Sequence, residues 1–153
     1  MSKSGNPSES DTAFQFFNEI GIISQLATNA LESNLPDGLT SSQFGVLNWF
    51  VRVDTEATPG RLATAFMVTK GAMTNTLKRL EEKGFIRIRP DETSGRRKLV
   101  TLTAKGARAR ANAIKSVEPL LREMLTEFSK PEFVASLPFL ESIRAYLDER
   151  RYR

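Results

Sequence analysis

The middle of the chain carries a stripe of polar residues at the i, i+3, i+4 and i+7 spacing of one helical face: Gly71, Thr74, Asn75 and Lys78. The glycine permits close approach of a partner. The hydroxyl, amide and ammonium groups can bond to base edges and phosphates in a DNA major groove. A polar stripe on a single helix is more often an ordinary solvated face. The elements on either side of the stripe therefore decide between the two interpretations.

A short helix should precede the helix that carries this stripe. Thr58 and Pro59 suit the N-cap and first position of a helix that runs to about Met67. Thr69 caps the next helix, whose end is set by Gly84, a residue that adopts the left-handed conformation readily. This second helix also has an apolar face, which should point toward the core: Met73, Leu77 and Leu80.

Two strands should follow the second helix. The segment FIRIR alternates apolar and basic residues, PDETSGRR has the composition of a turn, and KLVTL is typical of a second strand. Helix, short turn, helix and basic hairpin is the order of a winged helix-turn-helix. The sequence therefore predicts a mainly α fold with a two-stranded β-wing, and places the winged-helix core at residues 40–103.

Charge is strongly segregated along the chain. Residues 60–110 contain 13 of the 22 Lys and Arg residues but only 4 of the 18 Asp and Glu residues, a local net charge of +9. The remaining residues carry a net charge of −5, so the whole-chain charge of +4 is the sum of a basic module, residues 60–110, and an acidic remainder. This separation favours a polyanion as the partner.

Three segments resemble the DNA-binding core of MarR-type transcriptional regulators: LTSSQFGVLNWF, MTNTLKRLEEKGFI and DETSGRRKLVTLTAKG. A looser likeness extends over residues 12–150. By this resemblance, Arg96 in the wing enters the minor groove. The wing departs from the family pattern at Ser94, where a second Asp is common, and this leaves Asp91 as the acidic partner of that arginine.

The resemblance implies a sequence-specific regulator that binds double-stranded DNA, a palindromic operator, as a homodimer. Repression is favoured because a dimer over a promoter blocks polymerase without further contacts. The residues assigned to the major groove are Lys70, Gly71, Thr74, Asn75 and Lys78. Phosphate contacts are assigned to Arg61, Thr69 and Arg79, the minor-groove contact to Arg96, and nearby backbone contacts to Arg97 and Lys98. Among these, Asn75 is the best candidate for reading a base, because an amide can bond bidentately to adenine.

Both ends of the chain carry apolar faces that a small winged-helix core does not need. Residues 11–35 and 104–150 are predicted to be dimerisation helices within a single domain of residues 11–153, and residues 1–10 a disordered arm. The first helix has an apolar band wide enough for burial either in its own domain or against a second subunit. In a monomer, the terminal faces would instead close on each other.

Prolines lie inside the last two helical patterns. Pro119 indicates a kink or a short break in the first of them, and Pro138 indicates a kink or a helix restart near Ser136. Either outcome leaves helical segments with apolar faces on both sides of the proline.

The helix from Thr40 to about Val53 is apolar nearly all round, which predicts burial from several directions. Aromatic residues in such a helix are more often core than ligand site. The family resemblance nevertheless implies a small phenolic or other aromatic effector, bound in a cleft between the dimer layer and the winged helix. The residues that could line this cleft are Phe14, Phe17, Trp49, Phe50 and Met67.

The composition excludes several classes of function. The chain has no cysteine and no histidine, so disulfides and thiol redox sensing are excluded and no metal or cofactor site is expected. The motifs of nucleophilic catalysis are also missing, so an enzyme is not expected. No apolar run approaches the roughly 18 residues of a membrane span and no signal peptide opens the chain, which favours a cytoplasmic protein. The alternative functions are nonspecific DNA architecture and protein contact through the winged helix.

Overall fold

The computed structural model describes residues 6–151 and is mainly helical. Its elements in chain order are α1 (Glu9–Asn34), α2 (Ser41–Arg52), β1 (Glu56–Ala57), α3 (Pro59–Phe66), α4 (Lys70–Glu82), β2 (Ile86–Asp91), β3 (Ser94–Leu102), α5 (Ala104–Glu127) and α6 (Lys130–Arg150). The predicted order of helix, turn, helix and hairpin is confirmed.

The chain divides into two compact units, Met1–Ser116 and Val117–Arg153. The boundary falls inside α5, which continues through it without interruption. The first unit holds the winged helix, and the second holds the end of α5 together with α6. A single domain spanning residues 11–153 stays a prediction.

The three strands form one antiparallel sheet in the order β1-β3-β2. The sequence predicts only β2 and β3, so β1 is an addition to the expected two-stranded wing. Glu56 and Ala57 form a strand because they pair with Thr101 and Val100 on the outer edge of β3. Two residues are too few to show an alternating pattern, and only the presence of β3 reveals them as a strand.

The turn of the wing is tighter than the sequence suggests. β2 extends to Asp91 and β3 begins at Ser94, so Glu92 and Thr93 alone connect them, in place of the whole segment PDETSGRR. The Asp91 carboxylate accepts hydrogen bonds from the Thr93 amide at 3.0 Å and from its hydroxyl at 2.8 Å. These two bonds close the turn locally and let both strands continue further than expected.

The core of the first unit is built where α2, α3 and α4 meet the sheet. Its largest fully buried side chains are Val46, Leu47, Leu62, Leu77, Leu80 and Val100. The predicted inner face of α4 is confirmed, since Met73, Leu77 and Leu80 are all buried. Helix α2 contacts α1, α4 and β3, and Phe44 and Trp49 pack against the core beside the buried Val46, Leu47 and Phe50. The prediction that α2 is buried from several directions is therefore confirmed for most of the helix, whereas its C-terminal end is exposed at Val51 and Arg52.

A close contact joins the end of α4 to the start of α5. The Phe85 carbonyl accepts from the Thr103 amide at 3.1 Å, and the Thr103 hydroxyl donates to the Gly84 carbonyl at 2.7 Å. That same hydroxyl oxygen accepts from the Gly106 amide at 3.0 Å, which caps α5. A Cβ at position 106 would lie 2.0 Å from the Phe85 oxygen, so only glycine allows this approach.

Helix α1 begins at Glu9, inside the stretch predicted to be disordered. Ser8 and Asp11 form a capping box, in which the Ser8 hydroxyl accepts from the Asp11 amide at 3.1 Å and the Asp11 carboxylate accepts from the Ser8 amide at 3.2 Å. Hydrogen bonds from the side chain and backbone of Ser8 hold the pKa of Asp11 below its ordinary value. The predicted arm of residues 1–10 is therefore wrong where it overlaps this helix, and its first five residues lie outside the described part of the chain.

Helix α1 is not a core helix of its own unit, because none of its residues is buried. Its apolar band is exposed, and the side chains of Phe14, Ile23 and Leu26 are 60–75 % accessible. Of the two interpretations of this band, burial within its own domain is wrong. The other elements of the first unit leave Phe14, Ile23 and Leu26 uncovered.

In the second unit, Val117 is buried at its start, but no residue of α6 is buried. Neither internal proline interrupts its helix. Helix α5 continues through Pro119, and α6 begins at Lys130 and continues through Pro138. The short break and the restart near Ser136, which the prolines raised as alternatives to kinks, are therefore absent from the described residues. One proline removes a single backbone donor, and the remaining hydrogen bonds maintain the helix.

Candidate nucleic-acid interface

The polar stripe of α4 lies on its exposed side. Gly71, Thr74, Asn75 and Lys78 are all exposed, whereas the opposite face of the helix is buried. The helix begins at the N-cap Thr69, whose hydroxyl oxygen accepts from the Ala72 amide at 3.1 Å. That hydroxyl keeps its own proton free to donate, which is what a phosphate oxygen requires.

The turn between α3 and α4 fixes how the stripe is presented. Met67 adopts a left-handed conformation with φ 53°, and its amide bonds back to the Thr64 carbonyl at 3.2 Å. Val68 bonds similarly to the Ala63 carbonyl at 3.0 Å. The chain thus leaves α3 and enters α4 within three residues, as a helix-turn-helix requires.

One open cavity of about 620 Å³ lies where the start of α3, the start of α4 and the strand β3 meet. Its charged lining residues, among those the structure describes, are all cations: Arg61, Lys70, Arg96, Arg97 and Lys98. Thr74 from the polar stripe also lines it. Six of the predicted contact residues therefore surround one concavity, although they come from three separate elements.

A second cavity, of about 580 Å³, opens on another side of α4 toward the start of α2. Asn75 and Arg79 line it together with Thr40, the N-cap of α2. Glu32 also lines this cavity, and its carboxylate accepts from the Ser41 amide at 2.8 Å. The hydrogen bonds from Ser41 lower the pKa of Glu32. The predicted contact residues that line neither cavity are Thr69, Gly71 and Lys78.

Arg61 is held in place by two residues that sequence reasoning did not assign to the interface. Its guanidinium donates to the Asp54 carboxylate at 2.6 Å and lies 5.1 Å from the centroid of the Trp49 ring. The hydrogen bond from Arg61, followed by that from the Thr55 amide, lowers the pKa of Asp54. Asp54 precedes Arg61 by seven residues across a loop and a strand, so no periodic pattern could have linked them.

The wing arginine is not paired as predicted. The hydrogen bonds of Asp91 go to Thr93, and these bonds, followed by the charge of Arg97, lower the pKa of Asp91. The predicted partnership of Asp91 with Arg96 is therefore wrong, because the tight turn places Thr93 closer. Within residues 6–151, Arg96 has no ion-pair or hydrogen-bond partner and is exposed.

The five residues predicted to line an aromatic cleft have different environments. Phe50 is buried in the core, whereas Phe14 and Met67 are more than 70 % exposed. Trp49 is half-buried, packed edge to face on Phe50 at 5.3 Å, and Phe17 is exposed. None of the five lines either of the two cavities described above. The aromatic effector site stays a prediction.

Within residues 6–151, no group of three or more His, Cys, Asp or Glu side chains is arranged to hold a metal ion. In the same residues, no helix has the length and apolar character needed to cross a bilayer.

Comparison with known proteins finds similarity to MarR-type transcriptional regulators. The sequence model of the MarR family matches residues 37–97. A curated relative, the transcriptional activatory protein BadR of Rhodopseudomonas palustris, is 29 % identical over 133 residues, which cover 85 % of this chain and 74 % of that protein.

Solved structures extend the likeness to most of the chain. MarR from Escherichia coli, crystallised as a variant in complex with operator DNA, superposes with a TM-score of 0.73 at 25 % identity, covering 90 % of this chain and 99 % of that one. The transcriptional regulator BldR from Sulfolobus solfataricus has the same fold, with a TM-score of 0.78 at 24 % identity and coverage of 94 % and 99 %. The predicted winged helix-turn-helix fold is confirmed by these structures.

Proposed function

We propose that the chain is a DNA-binding transcriptional regulator of the MarR type, which binds a palindromic operator as a homodimer and controls transcription there. In this proposal the chain is a regulator and not an enzyme, because the proteins that it resembles are transcriptional regulators. The observation that carries the proposal is the single cavity in which five cations from α3, α4 and β3 meet beside the exposed stripe of α4.

That arrangement supports three kinds of DNA contact at once. The stripe of α4 has the width and chemistry to enter a major groove, with Asn75 as the base reader. Arg61 and Lys70, at the starts of α3 and α4, are suited to phosphates. Asp54 fixes the direction of the Arg61 guanidinium, so Arg61 loses less side-chain conformational entropy when it binds a phosphate. Arg96, exposed and unpaired within the described residues, is suited to an adjacent minor groove.

Exposed apolar surface supports the dimer. Phe14, Ile23 and Leu26 on α1 are exposed in the isolated chain, as are Leu121 and Phe128 in the second unit. A water-soluble protein rarely leaves so many large apolar side chains uncovered. A symmetric partner would cover them and would set two copies of α4 about one helical turn, roughly 34 Å, apart on DNA.

We propose repression as the direction of regulation, because a dimer seated over a promoter blocks polymerase by occupancy alone. The relative BadR is named an activatory protein, and operator position decides between these outcomes. A reporter gene fused to the bound promoter distinguishes them, since deletion of the regulator raises expression under repression and lowers it under activation. Because the proposed target is genomic DNA, the protein would act in the cytoplasm.

A small aromatic or phenolic effector remains part of the proposal. It is supported by the exposed Phe14, Phe17 and Met67 and the half-buried Trp49, which would acquire new neighbours when a dimer forms. An effector that binds more tightly to dimers whose two α4 helices do not match the half-site spacing of the operator would shift the population toward those dimers and so release the operator. Release of labelled operator by a panel of aromatic acids and phenols tests this idea.

Fluorescence anisotropy on labelled duplexes tests the main proposal. DNA from upstream of the protein's own gene is compared with random DNA of equal length at two salt concentrations. Specific binding at least about 10³-fold tighter than random, with a steep salt dependence, is expected. Equal, salt-sensitive affinity for both duplexes would indicate nonspecific DNA architecture, and no binding to either would indicate a protein-contact role.

Two variants separate base reading from phosphate binding. Asn75→Ala should weaken operator binding by about 1–3 kcal/mol and leave binding to random DNA nearly unchanged. Lys78→Ala should weaken both to a similar extent and reduce the salt slope by about 1. Equal losses on both duplexes for Asn75→Ala would contradict its role as the base reader. Lys115→Ala, on α5 and outside both cavities, is the matched control.

A further inference from the structure

The carboxylate of Glu81 joins the recognition helix α4 to the wing, the hairpin of β2 and β3. It accepts a hydrogen bond from the Ile88 amide of β2 at 2.8 Å. Glu81 lies one helical turn beyond Lys78, the last residue of the polar stripe. Ile88 belongs to the strand that leads to the turn of the wing. One bond therefore connects the two elements to which the major-groove and minor-groove contacts are assigned.

The end of α4 brings β2 back beside the helix. Gly84 has φ 74°, and its amide donates to the Glu81 carbonyl at 2.8 Å. The next amide, of Phe85, donates to the Leu80 carbonyl at 3.0 Å. These two bonds form a Schellman motif, which ends the helix and turns the chain sharply. The turn places a side chain from the last turn of α4 within reach of a strand amide seven residues further on.

The Ile88 amide lies on the open edge of the sheet. Strand β2 is an edge strand, because the order is β1-β3-β2. The Phe85 carbonyl accepts from the Thr103 amide, and backbone groups alternate between the two sides of a strand. The amides of residues 86, 88 and 90 therefore point away from β3. Pro90 has no amide proton, so Glu81 provides the acceptor for the outermost of the outward amides, in place of another strand.

This bond acts at the point where β2 leaves the core. Ile88 is half-buried and packs against the core, whereas Arg89 and Pro90 beyond it are exposed. The outer part of β2 is also held by its ladder with β3 and by a weak ion pair, 3.9 Å long, between Arg89 and Glu56 of β1. Both of these contacts lie within the sheet, so neither fixes the angle between the wing and α4.

The neighbouring Glu82 isolates the effect of the bond from the effect of the charge. Both glutamates lie in the last turn of α4 and both are exposed. Each reduces the attraction of the basic module for DNA phosphates by a similar amount. Within residues 6–151, however, the Glu82 side chain has no hydrogen bond or ion pair, whereas Glu81 holds the Ile88 amide.

We propose that Glu81 is a positioning residue for operator recognition. It holds the wing at the angle to α4 at which Arg96 reaches the minor groove while Asn75 lies in the major groove. Glu81 itself contacts no DNA. A wing already fixed on the helix loses less orientational freedom on binding than one that swings, which is why the bond strengthens the complex. This inference rests on the proposed function and adds to it the residue that makes the two groove contacts act together.

Operator binding by matched pairs of variants tests the role of Glu81. Glu81→Met should bind the operator about three- to tenfold more weakly than Glu82→Met, because both lose one charge but only the first loses the bond. Glu81→Gln keeps an acceptor oxygen and should bind within about twofold of Glu82→Gln. Equal affinities in the methionine pair would overturn the proposal. So would a glutamine variant as weak as Glu81→Met, since the charge and not the bond would then matter.

The Arg96→Ala background shows whether Glu81 acts through the wing. In that background the difference between Glu81→Met and Glu82→Met should fall below about twofold, because the wing contact is already missing. A difference of undiminished size would contradict positioning of the wing. Circular dichroism checks that each variant is folded, and the alanine pair at positions 81 and 82 takes the place of a methionine variant that is not.

Hydrogen exchange, measured by NMR on the full-length protein without DNA, tests the contact independently of function. The Ile88 amide should exchange at least about fivefold faster in Glu81→Met than in Glu82→Met, while the amides of Arg87 and Arg89, which point toward β3, should be unchanged. Equal exchange at Ile88 would refute the positioning. Absence of operator binding by the wild type would instead refute the proposed function, and with it the role in recognition, while faster exchange would still establish the contact.

Discussion

Replacing Gly106 by alanine should destabilise the protein, although alanine is the better helix former. The added Cβ would lie 2.0 Å from the Phe85 carbonyl oxygen, 2.8 Å from its carbonyl carbon and 2.8 Å from Cδ1 of Leu102. The leucine side chain can rotate away. The Phe85 carbonyl cannot, because it accepts from the Thr103 amide at 3.1 Å and lies in the connection between α4 and β2. The start of α5 must therefore move by about 1 Å or more.

The size of the effect follows from two opposing contributions. Overpacking a well-packed site costs about 1–3 kcal/mol and sometimes more, and contact with backbone atoms favours the upper end. Alanine in place of glycine inside a helix stabilises the helix by about 1 kcal/mol. Movement of α5 also stretches the bonds that Thr103 makes to Gly106 and Gly84. A net loss of about 2 kcal/mol or more in the free energy of unfolding is expected, which corresponds to a fall in Tm of about 4–8 °C.

Urea unfolding, followed by the fluorescence of Trp49 and by circular dichroism, measures this difference. All variants must be compared at one protein concentration, because a dimer unfolds in a concentration-dependent way. Gly60→Ala, in α3, is the matched control. Its Cβ would meet no atom within 4 Å, so its stability should be unchanged or raised by up to about 1 kcal/mol. A Gly106→Ala protein as stable as the wild type would refute the steric argument.

Three further predictions concern the core and the interface. Leu77→Ala, at a position 1 % exposed, should lower the free energy of unfolding by about 2–5 kcal/mol in the same urea assay, and a loss below about 1 kcal/mol would contradict its place in the core. Arg96→Ala should weaken binding to operator DNA without changing Tm and should reduce the salt slope by about 1 per subunit; an unchanged slope would exclude a DNA contact. Asp54→Asn should weaken operator binding by releasing Arg61, and should have no effect in an Arg61→Ala background. The hydrogen bond from Arg61 lowers the pKa of Asp54 below its ordinary value of 3.8, so the ion pair is fully formed above pH 3.8 and is lost only as the pH falls through the lower folded value. Titration of Asp54 should therefore not change the operator affinity between about pH 5.5 and 8.

Local signals in the sequence were sufficient for most helices of the winged-helix core. Thr58 and Thr69 cap α3 and α4 as predicted, because an N-cap depends on residues within one turn of each other. The spacing of Met73, Leu77 and Leu80 fixed the buried face of α4, and therefore which polar residues are exposed. The predicted pairing of Asp91 with Arg96 was wrong because Thr93, only two residues from Asp91, donates to its carboxylate instead.

Long-range pairings were beyond the sequence by itself. Strand β1 exists only because β3 offers an edge, and Asp54 faces Arg61 only because a loop folds back on α3. The composition predicted that a basic module exists, but not that Arg61, Lys70 and Arg96 would line one cavity. Periodicity and capping are decided by neighbours along the chain, and the sequence determined them. Which distant side chains meet depends on how the helices and the sheet pack, and only the tertiary structure decided that.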